Sequence, residues 1–226
     1  MKRLVLVRHG ESVWNSEARI QGQACAGLSD VGHDQARAVC AALATAHPHA
    51  RLVVSDLQRC RETIAPLIDE LGRDPEVDAS LRERSYGDWE GRLRSEIADT
   101  EPERWRRFAD GDDVLPDVGG ETREGFGDRV EETLRRLLSA TSEGETTLAV
   151  THGGPIWHGT HRVVGLTPPS LAGVDNTAVT ELVAVGDGRV LLDRWNEVGH
   201  LGTDLRTTMG RRATGAASVP GRVIGT

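Results

Sequence analysis

Three short runs in this chain, Leu4-Val5-Leu6-Val7, Leu52-Val53-Val54 and Leu148-Ala149-Val150, carry no polar residue at either parity. Side chains alternate between the two faces of a strand, so a run that is apolar at every position meets water on neither side. Strands of this kind belong to a mostly parallel sheet with helices over both faces. The segments between the runs supply helix signals. Ser29-Asp30 precedes a helix over about 31–46 that His47-Pro48 stops. A second helix is expected over about 56–72, closing on Gly72, and a fourth over about 155–164, closing on Gly165. Between them, residues 122–140 read as a long amphipathic helix. Residues 178–185 and 190–195 predict a final strand pair around Gly186-Asp187-Gly188. The fold class is therefore α/β, a doubly wound, mostly parallel sheet flanked by helices. Residues from about 90 to 120 break this rhythm with charge, Pro102, Trp105, Phe108 and Pro116, and predict a small helical cap insertion. The α/β domain is expected over 1–202. From 203 to 226 the chain loses periodicity and fills with Gly, Thr, Ala and Arg, which predicts a disordered tail.

Composition narrows the function classes. A formal net charge of -8 argues against nucleic-acid and membrane-surface binding, both of which require a basic face. Cys25, Cys40 and Cys60 are too scattered for a disulfide framework or a zinc motif. No charged leader with an apolar run opens the chain, and no stretch is apolar enough for a bilayer. A cytoplasmic protein with reduced thiols is expected. Oligomeric state is left open, a homodimer included.

All three apolar runs end in residues suited to phosphate chemistry: Arg8-His9 after the first, Ser55 to Arg59 after the second, His152 after the third. In open α/β sheets ligands bind beyond the carboxyl ends of the strands, so two histidines and two arginines converge on one crevice. Arginine's planar fork matches phosphate oxygens. A neutral imidazole beside such arginines is a competent nucleophile toward phosphorus. A second histidine, if protonated, would stabilise charge on the equatorial oxygens.

The segment Leu6-Val7-Arg8-His9-Gly10-Glu11-Ser12 resembles the signature of the histidine phosphatase superfamily, which includes the cofactor-dependent phosphoglycerate mutases. The resemblance continues through Asn15, Arg19-Ile20-Gln21-Gly22-Gln23, Leu28-Ser29 and Gly32, then Ser55-Asp56-Leu57-Gln58-Arg59 with Thr63. Leu81-Arg82-Glu83, Gly87-Asp88-Trp89-Glu90-Gly91, Gly119-Gly120-Glu121-Thr122 and Val150-Thr151-His152-Gly153-Gly154 complete it in order. It implies that His9 is the nucleophile, with Arg8, Arg59 and His152 completing the phosphate pocket. Asn15 would donate to the phosphate, with backbone donors near Gly22 or Gln23 and at Gly153. Glu83 would be the general acid and then the base that activates water. No metal or other cofactor is implied, and the sequence offers no acidic cluster placed for magnesium. Cys25 and Gly27 stand where the family often has Asp and Pro, which bears on the shape of the loop at the phosphate entrance. The Gly87 to Gly91 block resembles the phosphatase branch rather than the mutases.

These residues predict a phosphomonoesterase acting on a small phosphorylated metabolite through a phosphohistidine. A phosphoglycerate-type mutase would use the same His9. A non-catalytic phospho-ligand or protein-binding module would have no use for a general acid. Trp14, inside the phosphate loop, is the preferred additional substrate contact, with Tyr86 and Trp157 as further lining candidates. Trp105 with Arg104, Arg106 and Arg107 reads equally as a substrate-facing element or as a helix with one buried face. His158 and His161, one turn apart, lack an evident third ligand for a metal.

Overall fold

The three apolar runs lie side by side in the computed structural model, which describes residues 1–24, 26–186 and 188–207. Strands β1 (Lys2–Arg8), β2 (Arg51–Val54), β3 (Glu76–Val77) and β4 (Thr146–Thr151) are parallel, and β5 (Val179–Ala184) and β6 (Val190–Glu197) add antiparallel to one edge. The sheet order is β3-β2-β4-β1-β5-β6. Among the described residues seven helices accompany it: α1 (Val13–Ser16), α2 (Asp30–Ala46), α3 (Gln58–Leu71), α4 (Arg94–Thr100), α5 (Pro102–Ala109), α6 (Arg123–Ala140) and α7 (Gly153–Val164).

The parity of the strands decides which helices cover which face. Leu4, Leu6, Val53 and Ala149 pack with Phe126, Val130, Leu134 and Leu137 of α6 and Ile156 and Val163 of α7. The alternate residues Val5, Val7, Leu52, Val54, Leu148 and Val150 pack with Val39 and Leu43 of α2 and Cys60, Ile64 and Leu67 of α3. Leu4 to Val7 are wholly inaccessible to water, as a doubly covered strand requires.

Helix boundaries follow local chemistry. Ser29 caps α2 by accepting from the Gly32 N–H at 3.1 Å, and Thr122 caps α6 from Gly125 at 3.0 Å. Gly72 and Gly165 end α3 and α7 in the left-handed region, with φ of 62° and 80°. Three expectations shift. Helix α3 starts at Gln58 rather than 56, because Leu57 is extended and Asp56 turns to Arg82 at 2.8 Å. Helix α7 begins at Gly153 rather than 155, which brings its first turn to the end of β4. Residues 203–207, assigned by sequence to a disordered tail, include a turn at Thr203–Leu205, and Gln35 Nε2 ties Leu205 O at 2.7 Å and Thr207 Oγ1 at 2.8 Å. The rest of that tail lies outside the described residues.

The 90–120 segment holds α4, α5 and a short 3-10 turn, packed around a cluster of its own. Ile20, Trp89, Ile97, Val114, Leu115 and Val118 are buried there, with Tyr86, Trp105 and Phe108 against them.

Candidate active site

Because β1, β2 and β4 run parallel and in register, Arg8 beside Thr151 and Val54 beside Val150, their carboxyl ends deliver Arg8-His9, Ser55 and His152 to one place. The loop after β1 is held on every side. His9 N donates to Thr151 O at 2.9 Å, and Asn176 Nδ2 donates to His9 O at 3.0 Å. Gly10 N donates to Thr63 Oγ1 at 2.9 Å, and Glu11 N donates to Gln35 Oε1 at 2.8 Å. Gly10 is needed for close approach: a Cβ there would sit 2.6 Å from Gly32 O.

His9 is 3% exposed, and its Nδ1 lies 2.7 Å from Gly10 O. Only a protonated Nδ1 makes that bond, so Nε2 carries the lone pair. Burial first, then the Arg59 and Arg8 charges, hold the imidazole well below the ordinary histidine range. His9 is thus a neutral imidazole with the Nε2 lone pair fixed in orientation.

Arg8 and Arg59 supply the positive charge. Arg8 is 5% exposed, burial pushes it down to about 10, and the Glu83 carboxylate opposes that shift. One Arg8 terminus donates to Val174 O at 2.6 Å, while its Nε is buried without a partner among the described residues, a donor that a phosphoryl oxygen in the cavity would satisfy. Arg59 spans the floor, donating to Gly22 O at 2.7 Å, Ala24 O at 3.0 Å and His152 Nδ1 at 3.1 Å.

His152 is fully buried behind this layer. Its ring centroid is 5.2 Å from that of His9, Nδ1 accepts from Arg59, and Nε2 donates to Ser55 Oγ at 2.9 Å. Burial, then the Arg59 charge, keeps it well below the usual histidine range, so here it is a neutral support for Arg59 and not a cation in the cavity.

Glu83 sits across the cavity, its Oε2 accepting from Gly154 N at 3.0 Å and its Oε1 from Arg84 N at 2.9 Å. Gly154 belongs to the first turn of α7, whose N-terminus adds partial positive charge to the site. Asn15 completes the near wall. Its Oδ1 accepts from Ser12 N at 3.2 Å, which leaves the amide Nδ2 to serve an anion.

Together these side chains bound a cavity of about 360 Å³, lined by Arg8, His9, Asn15, Gly22, Arg59, Glu83 and Gly153 among the sequence-derived candidates. Three candidates fall outside it: His152, which lies behind Arg59, and Trp14 and Gln23. Trp14 is half-buried with its ring against Gly91, because the one-turn α1 directs it toward the cap segment. Gln23 donates its N–H to Glu90 Oε1 at 3.0 Å and Ala24 donates to Glu90 Oε2 at 2.8 Å, so Glu90 consumes these loop donors. Gly22 presents its carbonyl to Arg59. Cys25 lies outside the described residues.

Tyr86 and Trp157 do line the cavity, and so do Arg19, Gln21, Arg94, His158, Gly173 and Val174, which the sequence did not single out as substrate contacts. Burial lowers His158 to about 4 and pushes Tyr86 up to about 12, so both are neutral near pH 7. His161 instead turns its Nδ1 to Trp157 O at 2.8 Å, and among the described residues no three potential metal ligands cluster. Trp105 packs on Trp89 and Phe108, with centroids 5.9 and 5.7 Å away. Arg106 and Arg107 pair with Glu103 and Asp112 at 2.9 and 3.0 Å, and Arg104 pairs with Glu101, while the aromatic face of this helix is partly buried against the cap cluster. Among the described residues, no helix is long and apolar enough to cross a membrane.

Residues 4–198 match the profile of the histidine phosphatase superfamily (branch 1). The chain is 34% identical over 203 residues to a metal-independent phosphoserine phosphatase of Arabidopsis thaliana, covering 88% of this chain and 82% of the relative. It is 32% identical over 224 residues to a glucosyl-3-phosphoglycerate phosphatase of Mycolicibacterium vanbaalenii, covering 91% and 99%. Among solved structures, Bacillus stearothermophilus YhfR superposes with a TM-score of 0.78 at 27% identity, covering 88% of this chain and 99% of that one. A mycobacterial glucosyl-3-phosphoglycerate phosphatase in complex with VO3 superposes with a TM-score of 0.74 at 31% identity, covering 87% and 99%. On the ordered motifs, the shared fold and these matches, the chain belongs to the histidine phosphatase superfamily, branch 1.

Proposed function

We propose that this protein is a metal-independent phosphomonoesterase that hydrolyses a small phosphorylated metabolite through a phosphohistidine on His9. One observation carries the reading: a buried, neutral His9 has Nδ1 tied to Gly10 O and Nε2 left as the nucleophile beside two buried arginines. The relatives' names, a phosphoserine phosphatase and a glucosyl-3-phosphoglycerate phosphatase, support the same class.

In the first step Nε2 forms a bond to phosphorus as the ester P–O bond breaks. The bonding pair leaves with the substrate oxygen, which takes a proton from Glu83. Arg8, Arg59 and Asn15 meet the phosphoryl oxygens, and the α7 N-terminus adds to the field. In the second step a water oxygen bonds to phosphorus, the N–P pair returns to Nε2, and the water proton goes to the Glu83 carboxylate. Inorganic phosphate leaves and the acid is regenerated. His152 acts through Arg59, holding the guanidinium against the floor.

In this reading residues 1–202 are the catalytic unit, and the 90–120 segment is its cap, supported by its separate apolar cluster and by the cavity-lining Tyr86 and Arg94 at its border. We place the enzyme in the cytoplasm, on its scattered cysteines; light scattering tests the homodimer. Rapid quench with labelled substrate traps an acid-labile, base-stable phosphoenzyme that His9→Ala abolishes. Near-normal turnover by His9→Ala rules the mechanism out. Interconversion of 2- and 3-phosphoglycerate with little phosphate release would make the enzyme a mutase instead.

A further inference from the structure

We propose that Thr207 and the Leu205 carbonyl position the nucleophile: acting through Gln35 and Asn176, they fix the peptide that orients the His9 imidazole. The inference rests on the phosphatase reading above and adds to it positioning residues from the chain beyond β6.

The orientation of His9 depends on one acceptor, Gly10 O, which lies 2.7 Å from Nδ1. Among the described residues no backbone N–H donates to Gly10 O, so no ladder holds that carbonyl. It is held from the opposite edge of its own peptide. A trans peptide is planar, with its C=O and N–H pointing apart, so fixing the Glu11 N–H fixes the direction of Gly10 O. Gln35 does this, its Oε1 accepting from Glu11 N at 2.8 Å. The preceding peptide is held in the same manner, with Asn176 Nδ2 donating to His9 O at 3.0 Å.

A side-chain amide serves these contacts in only one of its two orientations. Turned over, Gln35 would set an NH2 against the Glu11 N–H, and Asn176 would set an oxygen against His9 O. Both amides are buried, so water does not choose between the orientations. Residues 205–207 do. Gln35 Nε2 donates to Leu205 O at 2.7 Å and to Thr207 Oγ1 at 2.8 Å. Thr207 Oγ1 donates to Asn176 Oδ1 at 3.3 Å. A hydroxyl has one proton and two lone pairs. Accepting from Gln35 and donating to Asn176 uses them in the sense that suits both amides. Leu205 and Thr207 do not line the cavity, so they act on His9 through the two amides and not on the substrate.

Thr207→Val keeps the shape of the side chain and removes the hydroxyl, whereas Thr207→Ser keeps the hydroxyl. Single-turnover phosphorylation by p-nitrophenyl phosphate should slow by about 3- to 10-fold in Thr207→Val, as expected for loss of one hydrogen-bonded link. Inhibition by inorganic phosphate should stay unchanged, because Arg8 and Arg59 are untouched. Thr207→Ser should restore most of the rate. In proton–nitrogen correlation spectra, the His9 Nδ1 proton should exchange with solvent faster in Thr207→Val than in the native protein. A native rate in Thr207→Val, an equal loss in Thr207→Ser, or phosphate inhibition weakened in step with the rate overturns the assignment. If the native protein forms no phosphoenzyme, the phosphatase reading itself fails. The Nδ1 exchange then decides the positioning role alone, and equal exchange in the two proteins overturns it.

Discussion

Replacing Glu83 with Gln removes one proton from the site and leaves its shape nearly intact, so its effect should depend on the leaving group. An alkyl phosphate departs as a strongly basic alkoxide and needs the proton in the transition state, whereas nitrophenolate departs unaided. General acid catalysis contributes about 100- to 10,000-fold, equivalent to about 2.7–5.4 kcal/mol of barrier. The structure adds a second consequence. Both Glu83 oxygens accept backbone N–H groups, from Gly154 at 3.0 Å and Arg84 at 2.9 Å. The Gln amide offers one oxygen and one NH2, so one of those donors loses its acceptor. That should cost about 1–3 kcal/mol of stability, toward the low end because the site is open to water. A melting curve separates this loss from the chemical one. Single-turnover phosphorylation is then measured with glycerol 3-phosphate and p-nitrophenyl phosphate, since dephosphorylation also needs Glu83 and would mask the difference in steady state. The alkyl ester should slow by at least 100-fold more than the aryl ester. Equal slowing would refute the acid role. The other carboxylates offer no ready substitute, because Asp88 is exposed outside the cavity lining and Glu11 is buried with its Oε1 on Ser29 Oγ at 2.9 Å.

Gly154→Ala tests the same acid by position, since an added Cβ would overlap Glu83 Oε1 and lie 3.1 Å from Phe126 Cζ. The alkyl ester should again suffer more than the aryl ester; an unchanged pair of rates would count against this placement. Stability should fall on acidification. His9, His152 and His158 are all depressed in the fold, so below their unfolded pKa of about 6.5 the unfolded chain binds protons that the native chain does not. Each contributes a loss approaching about 1.4 kcal/mol per pH unit, for His158 from about 6.5 down to about 4. Urea titrations at pH 7, 6 and 5 should show this, and His158→Gln should make the decline shallower; a flat profile would contradict it. Finally, activity should survive EDTA, because arginine meets the phosphoryl charge in every step. Loss in EDTA that magnesium restores would defeat this expectation.

The doubly covered sheet was legible in Leu4-Val5-Leu6-Val7 and its two counterparts, because a run apolar at both parities has one stable environment. The convergence of Arg8, His9, Arg59 and His152 was legible for the same reason, as parallel strands must end together. Glu83 was reached through the family motif, since nothing in its own neighbourhood marks a loop carboxyl as facing the end of β4. The sequence by itself thus determined the sheet and the motif order, and it singled out His9 as the candidate nucleophile. Tertiary structure alone decided the rest. It withdrew the Gln23 and Ala24 N–H groups into Glu90, turned Trp14 to the cap, placed His152 behind Arg59 and brought Arg94 to the cavity. It also clamped the His9 loop with Gln35 and with Asn176, which is 167 residues from His9 in sequence. Hydrophobic burial follows a period that each segment carries within itself, but a polar side chain's partner depends on which distant backbone arrives beside it, and no local spacing encodes that arrival.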